Sequence, residues 1–547
     1  MRKFLFILFI ACCSTSFAAS YYISPTGSNS SGNGSINSPW ASLSYACSAV
    51  TGSGNTIYVT AGNYTDATKC TWASGVNIES VGTHTIKVRH TTSDLNNGYI
   101  VGSGGSTAQY IKGLVLDGDN LAGDNAIIIY SRSNVTLENC TVKDFHVEGI
   151  RWDGTASNNK LLNCTISNSG GVAGGDRKYG LFFRGQTNMY VYRLKFNQIL
   201  RSGANQTGDG IRYEDGNRGF LFDDCDFNGL YPAGEWTFLF EAWTVDKNTG
   251  IGYGFEMKNC RIVGEWDFGS GTYKGSYPYS VYIHDCVFGL DVTHGPNTYQ
   301  TGLQFEEYCS DILVERCEFK NLDRGIYFCH NGTGGRFTNI TVQYNKIHHV
   351  PYSYSTADDA NGNSHGFGFG VVFAGSGSPS TITNARILNN TIVADPANPA
   401  GIGIWVDTRG TVNGVTVQNN IVYGFFEAAY ITVGGGGSMS NVLVQKNMLW
   451  NNGNSNNLLV SGISVSNLVN DGGVKANPLL TSDYHLQSGS PAINTGMNLN
   501  LTTDKDGKAV GNPPEIGCYE YGTVVVPPYS TLGKIIKSRG NVIKITK

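Results

Sequence analysis

Apolar and polar residues alternate in short runs along most of the chain, and many of these runs share one frame. "GIRWD" (149–153), "GLFFR" (180–184), "GIRYE" (210–214), "GLQFE" (302–306), "GIYFC" (325–329), "GVVFA" (370–374) and "GIWVD" (403–407) each open on glycine. Each then reads apolar, outward, apolar, outward, and "TFLFE" (237–241) fits with threonine in the glycine's place. A period of two is that of a β-strand with one face on a core.

A second frame recurs between these runs. "TLENCTV", "KLLNCTI", "LFDDCDF", "EMKNCRI", "YIHDCVF" and "LVERCEF" place Cys140, Cys164, Cys225, Cys260, Cys286 and Cys317 after a polar residue. Later copies carry asparagine instead, at Asn345, Asn390, Asn420 and Asn447. Matching positions lie 24, 35, 26 and 31 residues apart, then 30 and 27 toward the end. Short strands repeating at a variable period of roughly 20–50 residues predict a solenoid. Stacked coils lie about 4.8 Å apart, so the cysteines and asparagines are expected as inward ladders. On this reading the cysteines are small core fillers and the asparagines satisfy one another's amides; neither ladder is chemistry.

Stacking also aligns the outward positions. One column reads Asp153, Arg184, Glu214, Glu241, a coil that does not align, Glu306, Cys329, Ala374 and Asp407. Its neighbour reads Arg151, Phe182, Arg212, Leu239, then Gln304, Tyr327, Val372 and Trp405. A solvated face would carry Thr, Ser, Asn and Lys, and would not stack Glu214 on Glu241, because like charges directly opposite are destabilising. Trp236, Trp243, Tyr253, Trp266, Tyr273, Tyr277 and Tyr279 crowd residues 231–282 and are expected to wall a cleft.

Aromatic walls and acids suit a polysaccharide. Glu214, Glu241 and Glu306 are the candidate acid, base or nucleophile of a glycoside hydrolase. Asp153, Asp215, Trp243, Gln304, Tyr327, His330, Trp405 and Asp407 are candidate substrate-binding residues. A calcium-dependent lyase acting on a uronate-containing glycan is the alternative. In it Asp153, Glu214, Asp215 and Glu241 bind the metal and Arg184 or Arg212 is the base, which is demanding for a group of such high pKa. No cofactor is expected otherwise. A third reading is a glycan-binding adhesin without catalysis, though such a protein has little use for mutually repelling acids.

The 547 residues include 71 glycines and 30 tyrosines, only 15% are charged, and no long helical period appears. One extended all-β structure fits this better than several domains. The net charge of −4 leaves no electrostatic footprint for nucleic acid. "MRK", "FLFILFIACC" and "SFA" read as a secretory signal cut near Ala18, which predicts an extracellular or periplasmic protein with no membrane span. A lipoprotein acylated at Cys12 fits the signal less well. Eleven cysteines remain after the signal, an odd number. Cys47 and Cys70, outside the ladder, are the one pair expected to bridge.

The opening "YYISPTGSNSSGNGSINSPWASLSYA", followed by "NTIYVTAGNYT", and the close "NPLLTSDYHLQSGSPAINTG" to "DKDGKAVGNPPEIGCYEY" carry a resemblance. They resemble secreted bacterial right-handed parallel β-helix proteins of the pectate-lyase-like superfamily. The likeness implies an all-β, single-stranded right-handed parallel β-helix with an N-terminal cap, about a dozen coils, long loops over one sheet and a polysaccharide groove. Residues 1–18 are then the signal, 19–522 the capped helix and 523–547 a basic tail, and a monomer is expected. "LDGDN" (116–120) reads as ordinary turn chemistry. His348, His349 and His365 flank an insertion, "PYSYSTADDANGNSHGFGFG", expected to be a long loop.

Overall fold

The computed structural model describes residues 18–522 apart from 90–97, 120–124, 170–178, 200–209, 231–237, 243–253, 270–278, 290–300, 307, 330–333, 351–352, 359–363, 375–378, 398–400, 435, 454–457 and 462–464. Beyond 522 it describes 537–538 and 541–542. The signal segment and nearly all of the basic tail therefore lie outside the described residues. The chain forms two compact units, Met1–Glu256 and Met257–Lys547.

Within each unit the chain winds through three parallel sheets in turn. In the first unit Val135–Glu138 belongs to the first sheet, Thr141–Lys143 to the second and Ile150–Asp153 to the third; the next coil repeats them as Lys160–Leu162, Thr165–Ser167 and Leu181–Phe183. In the second unit Tyr308–Glu315, Glu318–Lys320 and Arg324–Cys329 are one such coil, stacked in register on its neighbours.

The corner between the first and second sheets explains the second sequence frame. It is a single residue of positive φ: Asn139 (56°), Asn163 (52°) and Asp224 (58°) in the first unit, Asn259 (55°), Asp285 (55°), Asn389 (50°) and Asn419 (57°) in the second. Asn and Asp tolerate this left-handed conformation best among residues with a side chain, although Arg193, Arg316, Tyr344 and Lys446 take the same corner in other coils. Immediately after the corner the side chain turns inward. Cys140, Cys164, Cys225, Cys260, Cys286 and Cys317 are all buried and free. The interval from Cys164 to Cys225 hides one more coil, in which Leu194 takes the cysteine's place: Thr165 pairs with Lys195, and Lys195 with Asp226. The asparagine ladder is continuous, with Asn345 Nδ2 donating to Asn390 Oδ1 at 3.1 Å, Asn390 to Asn420 at 3.0 Å and Asn420 to Asn447 at 2.9 Å.

Cys47 and Cys70 form the expected disulfide. It ties the short helix Leu43–Ala49, N-capped by Ser42, to the first described strand of the third sheet. This helix and the strand Ser20–Ile23, paired with Thr56–Val59, make the N-terminal cap. In the second unit the core stacks phenylalanines coil on coil: Phe268, Phe305, Phe328 and Phe373 lie 5.0, 4.9 and 4.3 Å apart with their rings nearly parallel. The insertion after Val350 is a β-hairpin, Ser353–Asp358 against Ser364–Phe367. "LDGD" is the predicted turn, with the Asp119 N–H donating to Asp117 Oδ1 at 2.8 Å. Among the described residues no helix is long and apolar enough to cross a membrane.

Candidate active site

The outward face of the third sheet concentrates the charges. In the first unit its register differs from the alignment of the sequence frames. Arg151 pairs with Phe182, Phe182 with Arg212, and Arg212 with Glu241. Glu241 thus belongs to the arginine column, two residues away in register from the place the motif "TFLFE" gives it, and Leu239 does not stack on Arg212. Ile211 pairs with Phe240, so the place of the motif's glycine falls on Leu239.

This slip changes the electrostatics. Glu214 and Glu241 are not stacked like charges, because Arg212 sits between them, with Nε 3.8 Å from Glu214 Oε1 and Nη1 in contact with Glu241 Oε2. The alternation continues along the face. Arg184 grips Asp153 with two bonds of 2.7 Å and lies 3.5 Å from Glu214. Arg151 binds Asp153 at 2.9 Å and Glu148 at 2.9 Å, with its guanidinium 4.0 Å over the Phe182 ring. Burial acts to raise Asp153, but the bonds from Arg184 and Arg151 outweigh it and hold the carboxyl below its usual range. Fully buried Glu148 is pushed up to about 7 by desolvation, against the opposing charge of Arg151. Asp215 is half-buried at the turn that follows the strand.

In the second unit the two predicted columns stand in the predicted register. Gln304 pairs with Tyr327, Tyr327 with Val372 and Val372 with Trp405; Glu306 pairs with Cys329 and Ala374 with Asp407. The coil that resisted alignment is Glu265–Phe268, "EWDF", in which Asp267 pairs with Gln304. Its alternation was legible: Trp266 and Phe268 fill the core, leaving Glu265 and Asp267 on the outward face. Trp266 is accordingly a core residue and not part of an aromatic loop.

Glu265 is a strongly perturbed carboxyl of this face. Burial, reinforced by the charge of Glu306 and opposed by Arg324 and a hydrogen bond with Thr301, pushes it up to about 8. Gln304 Nε2 donates to Glu306 Oε1 at 2.8 Å, which fixes Glu306 as an acceptor. The Gln304 Oε1 atom is buried and accepts no hydrogen bond among the described residues. Arg324 lies 4.8 Å over the Tyr327 ring. Farther along, Trp405 is only 2% exposed and packs with Phe369, Val372, Ile402 and Tyr430, so it is part of an apolar cluster and not an open platform. Asp407 is buried too. Trp243, His330 and the remaining cleft aromatics lie outside the described residues, as do the side chains of Tyr279 and His365. His348 binds Glu318 at 2.8 Å on the second sheet.

No protein-family model and no curated protein matches this chain. Among solved structures, a tailspike protein double mutant of E. coli bacteriophage HK620 matches at TM-score 0.50 and 11% identity, over 79% of this chain and 73% of that one. The chain has the parallel β-helix fold. Other solved structures similar to this β-helix, at lower scores, are the A-module of the mannuronan C-5 epimerase AlgE6 of Azotobacter vinelandii and the catalytic domain of a GH87 α-1,3-glucanase. The first has TM-score 0.34 and 14% identity, over 80% of this chain and 94% of that one. The second has TM-score 0.34 and 14% identity, over 76% and 64%.

Proposed function

We propose that this β-helix is a polysaccharide-cleaving enzyme, a glycoside hydrolase whose general acid is Glu265. The observation that carries the reading is a buried carboxyl, raised by desolvation to about 8, on the same face as Asp267 and Glu306. Two carboxyl groups whose surroundings push them toward different protonation states are what glycosidic cleavage requires. In the step proposed, the Glu265 proton passes to the glycosidic oxygen as the bond from that oxygen to the anomeric carbon breaks. Water adds to the anomeric carbon and gives its proton to Asp267 or Glu306. Gln304 orients Glu306 through its amide, and its buried Oε1 is placed to take a sugar hydroxyl.

Asp153, Glu214 and Glu241 of the first unit fit this role less well, because each is already engaged by arginine. The same engagement weighs against the lyase reading. The bond to Asp153 raises the Arg184 guanidinium further above its ordinary value, which makes it a poorer base. Asp153, Glu214 and Glu241, the bulk of the expected calcium set, are neutralised by Arg151, Arg184 and Arg212. We read this cluster as a device that holds the face rigid, with substrate contact by Glu214 and Asp215 secondary to that.

The test is Glu265→Gln. Loss of a general acid lowers kcat by about 10²–10⁴-fold, read as reducing ends released from a polysaccharide panel. Release at the parental rate would remove Glu265 from the reaction.

A further inference from the structure

The first sheet of the second unit carries a groove on its outer side that the cleavage reading does not use. Its coils turn a corner at one residue of positive φ: Asp311 (58°), Asn339 (57°), Asn384 (54°), Gly414 (78°), Asn441 (54°) and Asn467 (55°). The exposed side chains form a second amide ladder, outside the core. Asn339 Nδ2 donates to Asp311 Oδ1 at 2.9 Å and Asn384 to Asn339 at 3.1 Å; Asn441 donates to Asn413 at 2.8 Å and Asn467 to Asn441 at 3.0 Å. The opposite wall is a column in register, Thr341, Arg386, Thr416, Leu443 and Val469. The two walls enclose about 760 Å³.

The ladder lacks one rung. Gly414 stands where the other coils carry asparagine, and a Cβ there would lie 2.8 Å from Asn384 Oδ1. The amide that would donate to that oxygen is missing, which leaves a notch in the wall with an acceptor at its edge. Arg386, exposed in the facing column next to Thr416, makes no ion pair among the described residues. Between Asn339 and Val469 it is the charged residue among the described ones lining the groove, and Asp311 at the ladder's end already accepts from Asn339.

We propose that this groove is a glycan-binding site distinct from the carboxylate cluster, taking an extended acidic polysaccharide with a uronate carboxylate on Arg386. The charge of the groove is complementary to a carboxylate, and a guanidinium recognises one through two parallel bonds. Fixed amides and threonine hydroxyls match sugar hydroxyls, and Leu443 and Val469 offer apolar surface to ring faces. Successive coils lie about 4.8 Å apart, so a chain laid along the groove meets a new pair of wall residues at each coil.

The test is electrophoresis of the full chain through native gels containing polygalacturonate, dextran or no polysaccharide. The expected result is retardation by polygalacturonate, weakened at least tenfold in Arg386→Gln and at least fivefold in Gly414→Asn, which refills the notch. Arg386→Gln should keep the parental melting temperature, and Gly414→Asn should stay folded at the assay temperature. Glu265→Gln is expected to migrate like the parent, so this site and the cleavage reading fail separately. Equal mobility of the parent with and without polygalacturonate would overturn the site, as would parental retardation of both variants. Retardation by dextran as strong as by polygalacturonate would overturn the acidic ligand.

Discussion

Arg151 holds two buried carboxylates at once, and removing it shows what such a residue is for. Without the guanidinium, Glu148 and Asp153 stay buried with less countercharge, and breaking a buried pair from one side costs about 3–5 kcal/mol. Arg151→Ala is therefore expected to lower the urea unfolding free energy by that amount, and a loss under 1 kcal/mol would mean the face is hydrated and soft. Glu265 differs in degree, because there burial outweighs the opposing charge of Arg324 and raises the carboxyl. The alkaline limb of activity follows: the acid form is lost as pH rises through about 8, so the rate should fall there. In Glu265→Gln the residual rate should lose that limb. At this scale the sequence was half legible. It exposed the charged face, because charge is scarce in this chain. It hid which acids are neutralised, because that depends on a two-residue slip of "TFLFE" and on the overlooked rung "EWDF".

The ladders divide the labour of the coils between weak and strong contacts. Asn390 accepts from the backbone and amide nitrogens of Asn345, and donates to Val342 O and Asn420 Oδ1. Asn390→Leu would strand several buried polar groups at about 1–3 kcal/mol each. Cys164 Sγ makes only long, weak bonds, accepting from the Cys140 N–H at 3.4 Å and donating to Leu162 O at 3.4 Å and Leu137 O at 3.6 Å, so Cys164→Ala should cost well under half as much. Melting temperatures of the two variants compare them directly, and equal losses would contradict the ladder's polar role. The C-terminal segment adds a titrating contact. Glu520 is pushed up to about 8 by burial and by its hydrogen bond with Glu515. A carboxyl raised on folding contributes fully below its unfolded value, about 4.3. That contribution is lost as pH climbs through about 8. Resistance of residues 475–522 to proteolysis should therefore decline from pH 5 to pH 9, and Glu520→Gln should flatten the decline. An identical pH slope in parent and variant would rule this contact out. Both inward ladders could be read from the sequence, since a repeat announces itself. The pairing of Glu515 with Glu520 could not, because two acids five residues apart in a loop look solvated.

For the molecule as a whole, the odd cysteine count resolves into one bridge and buried thiols. Nine free cysteines, all buried, accompany the Cys47–Cys70 disulfide. A thiol reagent should find none of the nine in the native protein and all of them after unfolding in urea; reaction of the native form would mean the coils open. Fold class, repeat and disulfide were legible because each is a property of spacing. The burial of Trp405 and Asp407 was not, since an outward position on a sheet can still be covered.

The one-residue corner at Asn139, Asn163 and their counterparts has a further consequence. It fixes the phase of the chain: the residue after it always enters the interior, whatever length the loops beyond the third sheet have taken. Insertions at those loops leave this timing intact, whereas one residue added at the corner would turn the whole following strand inside out. Such a protein can lengthen by duplicating a coil and diversify by rewriting its loops, and neither change disturbs the other. Its growth is modular in one direction and free in another.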